Sequence, residues 1–382
     1  MNILLISRGV PTKHDPQWGS FEYDQAKALA THGHKVIVAS VDSRFRLYSR
    51  KLGLTYEEHE GVKLYNYFLC PAVITGFLGN AFKNKVIEWQ WQQIIKAISK
   101  NDDKIDVIYS HYLFNTYYAV HFLSKLNAPI VAIEHWSELQ KETLTPYVMS
   151  MTEAYNHISK VIAVSQSLKK TLKQKFNIDA QVVYNMVGDE FTYTPHSISS
   201  PTVRFIAAGS LIHRKGYDLL IQAFSQTHLP KDQWELRIIG SGIERNNLLQ
   251  LIEKAGLQDN ITLVGQKTKQ DIVNLYQQSD VFVLPSRSET FGVVYIEAMA
   301  CGLPVIATPC GGPEEFVTKK NGLLVPVDNV EALADAIKYM YDHHQEYDRQ
   351  AIANDCQARF SSEVIAKQLT EIFEYVINKR GQ

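Results

Sequence analysis

Short, fully apolar runs recur along this chain and alternate with stretches whose apolar residues have helical spacing. The first run is NILLIS at residues 2–7, and the next is VIVA at 36–39, with a helical pattern between them. Further apolar runs in the first half start near residues 106, 130, 161 and 182. Strands that are apolar on both faces are typical of parallel sheets covered by helices on either side. The pattern therefore predicts an α/β fold with doubly wound parallel sheets.

The same alternation starts again after a polar segment with two prolines, TYTPHSISSPT at 192–202. A chain of 382 residues is longer than one hydrophobic core usually serves. We therefore predict domains at 1–191 and 203–360, a linker at 192–202, and an amphipathic helix within 361–382. Because ligands bind beyond the carboxyl ends of such strands, the two domains are expected to face a cleft.

Composition excludes several classes of protein. The net charge is −1, which gives no reason to expect a nucleic-acid partner. The four cysteines lack the close spacing of a metal or redox site and favour reduced thiols. The apolar start is broken too early for a signal peptide, and no run reaches the roughly 18 apolar residues of a spanning helix. These features predict a cytoplasmic protein.

Most familiar phosphate and metal motifs are absent. There is no GxxxxGK[ST] loop, no DxD pair and no zinc-type cluster, so we expect no bound metal and no cofactor. Gly240 and Gly242 begin a dinucleotide fingerprint, but Arg245 stands where its third glycine belongs.

One basic turn is a candidate anion site. Arg214 and Lys215 come just before Gly216, between the apolar run at 205–208 and a helical pattern. A helix amino terminus with adjacent cations binds anions, and arginine can hold phosphate oxygens in a fork. Taken alone, three such residues would usually be an exposed basic turn.

Two glutamates form the second candidate. Glu289 and Glu297 are eight residues apart, after a buried strand, with Gly292 where a helix starts. Their carboxylates can accept hydrogen bonds from sugar and ribose hydroxyls. A two-carboxylate hydrolase is the competing interpretation. We reject it because no second carboxylate can be placed beside the first.

At this point the residues resemble a known family. The segment SRSETFGVVYIEAMACGLPVIATPCGGPEE is similar to the nucleotide-sugar signature of glycosyltransferase family 4, with its E-x7-E motif. FIAAGSLIHRKGYDLLIQAF and VAIEHWS resemble the phosphate-binding turn and the strand that ends in the active-site histidine. The resemblance implies a GT-B fold of two Rossmann-like domains, with a terminal helix that returns to the first. It also implies retention of anomeric configuration and metal-independent transfer of a hexose-type sugar.

The resemblance also implies roles for single residues. His135, Glu289 and Lys215 would be catalytic, and His111 would bind the acceptor. The donor, a UDP- or GDP-linked sugar, would meet a further set of residues: Gly19, Ser20, Arg214, Lys215, Gly240, Phe291, Gly292, Val293 and Glu297. Ser210 stands where the family often has a phosphate-binding arginine, a departure that Arg214 could offset.

The acceptor is left open by the sequence. A glycan, a lipid-linked sugar or another glycoconjugate of bacterial surface polysaccharide synthesis is the family-level expectation. Trp89, Trp91 and the aromatics at 65–68 could stack on a sugar or fill the core. The basic stretch 77–100 predicts at most a weak peripheral contact with the inner face of a membrane. The alternatives to a transferase are a catalytically silent GT-B subunit and a nucleotide-sugar epimerase on the same fold.

Overall fold

The computed structural model describes residues 1–12, 14–15, 18–44, 50–69, 79–101, 104–195 and 202–380. Cys70 and residues 196–201 of the predicted linker lie outside the described residues. Contacts divide the chain into two compact units, which are described separately below. Unit 1 comprises Met1–Val164, Leu168–Val183 and Ile365–Gln382, and unit 2 comprises Ser165–Ser167 and Tyr184–Val364.

Each unit is built on one sheet. Within the described ranges, the strands are β1 Asn2–Ile6, β2 Lys35–Val41, β3 Gly53–His59, β4 Val62–Phe68, β5 Val107–His111, β6 Ile130–Glu134, β7 Lys160–Ala163, β8 Ala180–Val182, β9 Val203–Ala208, β10 Trp234–Ile239, β11 Ile261–Gly265, β12 Val281–Val283, β13 Val305–Ala307 and β14 Gly322–Leu324. The first sheet has the order β3-β4-β2-β1-β5-β6-β7-β8, and the second has the order β11-β10-β9-β12-β13-β14.

Helices connect most of these strands. They are α1 Ser20–Thr31, α2 Asn80–Asn101, α3 Leu113–Phe122, α4 Pro146–Met151, α5 Gln166–Phe176, α6 Tyr217–Gln226, α7 Arg245–Lys254, α8 Lys269–Gln277, α9 Val293–Ala300, α10 Val330–His343, α11 Arg349–Phe360 and α12 Ser362–Arg380. The central strands are buried along their length, as in β1 and β5. These strands therefore carry the hydrophobic core of their sheets, as their apolar sequences predict.

The sheet of unit 1 departs from a purely parallel arrangement at one edge. β3 runs antiparallel to β4, whereas β4 is parallel to β2. The strands of this hairpin are joined at Glu60 and Gly61, which both have positive φ, 51° and 76°. Positive φ at both central residues is the geometry of the tight turns that join twisted antiparallel strands. β3 is largely exposed, so it lacks the fully apolar run by which the other strands are predicted.

The last helix, α12, belongs mostly to unit 1. The ring of Phe373 lies 5.0 Å from that of Tyr109, edge to face. Thr370 is hydrogen-bonded to the ring of His34 at 2.8 Å. The predicted return of the terminal helix to the first domain is confirmed. Residues 184–191, by contrast, group with unit 2, although the linker was predicted to begin only at 192.

Candidate active site

In unit 2, the loops after β9 and β12 are in contact at the carboxyl ends of these strands. His213–Lys215 form a single helical turn that ends at Gly216, with φ of 70°. A Cβ at Gly216 would lie 2.1 Å from the carbonyl oxygen of Pro285. Only glycine fits this close approach, which brings the basic turn against the segment after β12.

Lys215 and Glu289 form a buried ion pair at this junction. Nζ of Lys215 lies 2.5 Å from Oε1 of Glu289, and the two side chains are only 11% and 5% exposed. The hydroxyl of Ser286 donates to the same carboxylate oxygen at 2.7 Å. Nη1 of Arg214 lies 3.9 Å from Oε2 of Glu289 and donates to the carbonyl of Ser288 at 3.1 Å. One carboxylate therefore gathers two cations and a hydroxyl.

A second arginine, Arg287, holds the basic turn in place. It forms a fork with Asp218, with distances of 2.8 and 2.7 Å, and reaches Asp328 at 2.6 Å. It also donates to the carbonyl oxygen of His213 at 2.7 Å. Burial opposes ionisation of Asp218, but the hydrogen bonds and charge of Arg287 lower its pKa. Sequence reasoning missed this residue, although it stands two positions before Glu289.

The amino terminus of α9 faces the same segment. Gly292 precedes the helix with φ of 95°, and a Cβ there would meet the ring of Tyr295 at 2.7 Å. The side chain of Phe291 is fully buried. The donor contacts expected of Phe291, Gly292 and Val293 stay predictions. Glu297 lies one turn into α9 and is half-buried.

Gly240 has a structural role of its own. It has φ of 141°, and a Cβ would lie 1.9 Å from the carbonyl oxygen of Gly209. The loops after β9 and β10 are joined here, because the amide of Leu211 donates to Ser241 at 2.9 Å. This close approach is made to the chain itself, and the donor contact expected of Gly240 stays a prediction. Ser210 in the same loop is exposed.

In unit 1, the loop after β1 leads into α1 at Gly19. This residue has φ of 72°, and a Cβ would lie 2.1 Å from the carbonyl oxygen of Gly9. Arg8 is bound by both carboxylate oxygens of the fully buried Glu22, at 2.7 and 3.2 Å. Trp18 donates to the carbonyl oxygen of Arg8 at 3.0 Å. This arrangement fixes the loop beside Ser20, at the first turn of α1, where backbone N–H groups have no partner in the helix itself.

Two histidines meet at the carboxyl ends of β5 and β6. Nε2 of His135 lies 3.2 Å from Nδ1 of His111. His135 is 9% exposed and its ring is bracketed by Phe21 and Tyr112, with centroids 5.0 and 5.1 Å away. His111 has no exposed surface, and burial together with the charge of Arg8 lowers its pKa to about 3. This burial does not support the prediction that His111 touches an acceptor.

Glu134, which ends β6, anchors the loop that carries His135. One of its oxygens accepts from the amides of His135 and Trp136 at 3.0 and 2.9 Å, and the other accepts from the hydroxyl of Tyr155 at 2.7 Å. Burial raises the pKa of Glu134 to about 7, although these hydrogen bonds act against the rise. The sequence shows only an acidic residue at a strand end, so its anchoring role was missed.

A cavity of about 540 Å³ opens in unit 1 near the loops after β1 and β2. Its lining includes Arg44, Arg50 and Asp42, and both arginines lie 3.0 Å from one carboxylate oxygen of Asp42. Asn66 and Thr55 contribute further hydrogen-bonding groups. The two tryptophans considered for stacking on a sugar differ in exposure. Trp91 is buried in the core, while Trp89 is 44% exposed.

Membrane-spanning and metal-binding features are both missing from the described residues. None of their helices combines the length and apolar character that crossing a membrane requires. No group of three or more histidine, cysteine, aspartate or glutamate side chains within those residues is arranged to hold a metal ion.

Two of the cysteines are protonated thiols. Burial raises the pKa of Cys301 and of Cys310 to about 12, so both thiols stay protonated near neutral pH.

Comparison with known proteins identifies the family. The family described as Glycosyltransferase Family 4 matches residues 21–191, and the family described as Glycosyl transferases group 1 matches residues 194–355. An uncharacterized glycosyltransferase of Methanocaldococcus jannaschii is 30% identical over 256 residues, which are 65% of this chain and 70% of that protein. The chain belongs to the group 1, family 4 glycosyltransferases.

Two further relatives define the fold and the family's range. The HepE protein of Anabaena, in complex with UDP-glucose, superimposes with a TM-score of 0.74 at 20% identity, covering 98% of this chain and all of HepE. This likeness confirms the predicted GT-B fold. A GDP-mannose-dependent phosphatidylinositol monomannoside mannosyltransferase of Corynebacterium glutamicum is 33% identical over 45% of this glycosyltransferase and 48% of its own length. The chain therefore spans about half of that relative.

Proposed function

We propose that this glycosyltransferase moves a hexose-type sugar from a UDP- or GDP-linked donor to a glycan, lipid-linked or other glycoconjugate acceptor. It does so with retention of configuration and without a metal. The observation that carries the proposal is the cluster of Lys215, Arg214 and Glu289 beside the start of α9. It combines cations for a diphosphate with a carboxylate for sugar hydroxyls.

The chemistry of transfer explains why cations belong here. As the bond from the anomeric carbon to phosphate breaks, positive charge develops on the sugar and negative charge on the leaving diphosphate. Lys215 and Arg214 would stabilise the leaving group, and the backbone N–H groups at Gly292 would add dipoles of the same sign. The new bond forms from the acceptor oxygen to the anomeric carbon. The acceptor proton passes to a phosphate oxygen of the leaving group, so no protein base is required.

Carboxylates complete the proposed donor site. Glu289 would accept hydrogen bonds from the sugar hydroxyls, and Glu297, on α9, would bind the ribose. The complexes and names of two relatives are consistent with such donors, since HepE is solved with UDP-glucose and the Corynebacterium enzyme depends on GDP-mannose. Neither relative decides between the two nucleotides for this chain.

The acceptor is proposed to enter the 540 Å³ cavity of unit 1. Its lining offers guanidinium, carboxylate and amide groups, which match the hydroxyls of a sugar.

A second surface of unit 1 is apolar and basic. Phe82, Trp89, Tyr147 and Met149 are exposed on α2 and α4, and Nζ of Lys83 lies 5.3 Å from the ring of Tyr147. This mixed apolar and basic surface supports a weak contact with the inner face of a membrane in bacterial surface polysaccharide synthesis. If the protein does not float with anionic liposomes, the proposed membrane contact is wrong.

The donor site is tested first by a thermal-shift screen. UDP, GDP, ADP and their hexose conjugates are added in EDTA to the wild type, to Lys215→Ala and to Lys254→Ala. Lys254 is an exposed lysine at the end of α7 and serves as the matched control. A ligand present at about 100 times its Kd stabilises the fold by about 2.7 kcal/mol. We expect UDP or GDP to stabilise wild type and Lys254→Ala, and to have little effect on Lys215→Ala.

Turnover then tests the catalytic role. Removing one donor that stabilises a leaving group commonly costs about 10²- to 10³-fold in kcat. Release of nucleoside diphosphate from the stabilising donor should fall by that factor in Lys215→Ala and stay unchanged in Lys254→Ala. If no nucleotide stabilises the wild type, the proposed donor site is wrong. If activity appears only when a divalent cation is restored, metal independence is wrong.

A further inference from the structure

The position of His111 does not support its sequence-predicted role as an acceptor contact, and its surroundings suggest another. It lies directly behind His135 with no exposed surface, and its ring is nearly parallel to that of His135, at 13°. The ring of Tyr109 contacts it edge-on at 4.6 Å between centroids. A residue enclosed in this way acts through its neighbour or not at all.

Hydrogen bonding distinguishes two tautomers of the pair. Within the described ranges, Nε2 of His111 is buried and has no hydrogen-bond partner. If that nitrogen carried the proton, a buried N–H donor would be orphaned. If the proton is on Nδ1 instead, the orphan is only an acceptor lone pair. Buried orphaned N–H groups are the rarer case, so the second arrangement is favoured.

We propose that His111 is a positioning residue, which donates its Nδ1–H to Nε2 of His135 and so holds His135 as the tautomer with its proton on Nδ1. The groups around the pair agree with a neutral His111. Arg8 adds positive charge nearby, and the buried Glu134 on the adjoining strand is turned to backbone amides and to Tyr155. Neither group offers His111 a second partner.

The consequence concerns how His135 acts. Its Nε2 lone pair is occupied by His111, so that nitrogen cannot accept the acceptor proton. With the proton on Nδ1, that nitrogen can act only as a hydrogen-bond donor, a role suited to a sugar hydroxyl or to an oxygen that gains negative charge in the transition state. His135 is therefore a donor and not a general base. This inference rests on the proposed function, because it assumes that His135 faces the reacting sugar.

The first experiment reads the tautomer without requiring activity. The full-length chain is labelled with 15N in its histidine side chains, and long-range 1H–15N correlation spectra are recorded at pH 7.5. The His135 signals are identified by their loss in His135→Gln. We expect protonated Nδ1 and bare Nε2 at His135 in the wild type. His111→Leu should give a mixture of both tautomers, whereas His111→Asn, whose amide can donate from a similar position, should preserve the wild-type pattern.

Kinetics provides the second readout. Partners that orient a functional histidine commonly change activity by about 10- to 100-fold. With the donor found by the screen, His111→Leu should lower kcat for diphosphate release by that factor while KM for the donor changes little. His111→Asn should recover most of the loss. Thermal unfolding of both variants shows whether stability alone explains the difference.

The outcomes separate this inference from the proposed function. A wild-type spectrum with the proton on Nε2 of His135 overturns the inference, whatever the enzyme does. An unchanged tautomer and kcat in His111→Leu also overturn it. If the wild type binds no nucleotide and releases no diphosphate, the proposed function fails, while the spectra still decide how His111 and His135 share their proton.

Discussion

The two units differ in the central pair of polar side chains that each buries at the carboxyl edge of its sheet. Unit 2 buries opposite charges together, with Lys215 and Glu289 2.5 Å apart. In unit 1 the central pair consists of two histidines, and burial keeps His111 uncharged at neutral pH. Buried ions are costly to separate, while neutral groups lose only a modest hydrogen bond. The Lys215–Glu289 pair and the His111–His135 pair are therefore expected to respond very differently to mutation.

The largest difference is expected from breaking each pair. Lys215→Met leaves Glu289 buried without its main counter-charge and should lower the free energy of unfolding by about 3–5 kcal/mol. His111→Leu should cost only about 1 kcal/mol, because a neutral hydrogen bond is lost. Chemical denaturation measures both. The double variant Lys215→Met/Glu289→Leu should recover part of the loss, and a cost equal to the sum of the single changes would show that the ion pair is not coupled.

The next difference comes from the two glycines that close the site loops. Gly216→Ala in unit 2 and Gly19→Ala in unit 1 each force a Cβ to within 2.1 Å of a carbonyl oxygen at positive φ. Each should destabilise by about 3 kcal/mol. Gly33→Ala is the control, because its φ is also positive but nothing lies within 4 Å of the added Cβ. It should cost about 1 kcal/mol. Equal costs at all three positions would mean that the close approaches do not matter.

Acid titration sharpens the comparison within unit 1. The pKa of His111 falls from 6.5 to about 3 on folding. Its contribution to the free energy of unfolding is therefore present above pH 6.5 and is lost as pH falls towards 3. The pKa of Glu134 rises from 4.5 to about 7, so its contribution is present below pH 4.5 and is lost as pH rises towards 7. Between pH 4.5 and 6.5 the two slopes oppose each other, each at up to about 1.4 kcal/mol per pH unit.

Removing one of these groups should therefore reveal the pH dependence that the other gives to the stability. Stability of Glu134→Gln should rise more steeply with pH across this window than that of the wild type. Stability of His111→Leu should instead decline with pH more than the wild type does. Urea unfolding at half-unit pH steps measures both curves. Parallel curves for all three proteins would mean that neither group changes its protonation on folding as inferred.

The smallest effects concern the two forked arginines, one in each unit. Arg287→Lys loses the fork to Asp218, and Arg8→Lys loses the fork to Glu22. Lysine cannot reproduce two parallel hydrogen bonds, so each change should cost about 1 kcal/mol in unfolding free energy. Because Arg287 lowers the pKa of Asp218, its contribution is present above the unfolded-state pKa and is lost on acidification. The deficit of Arg287→Lys should shrink in acid, as thermal melts at pH 7 and in acid would show.

Much of this architecture could be predicted from the sequence, because strands buried on both faces must be apolar along their whole length, and such short runs stand out. The predicted basic turn contacts the segment that carries the two glutamates, through Lys215 and Glu289, while the donor contacts expected of both stay predictions. The β3–β4 hairpin could not be found in this way, because β3 is polar and exposed. The contacts by which Arg287 holds the basic turn could not be predicted either, and the same is true of the placement of His111 behind His135. These depend on contacts between residues far apart in the chain, and local patterns carry no information about them.

The pair formed by Lys215 and Glu289 has a consequence for product release. The charge of the lysine is neutralised by a carboxylate of its own chain. A free phosphate would therefore compete with an internal anion for Lys215, whereas a complete donor would also offer hydroxyls to Glu289. After transfer the hydroxyls leave with the product, and Glu289 can return to the lysine. On the proposed mechanism, the enzyme thus carries its own competitor for the spent nucleotide, which favours exchange for a fresh donor.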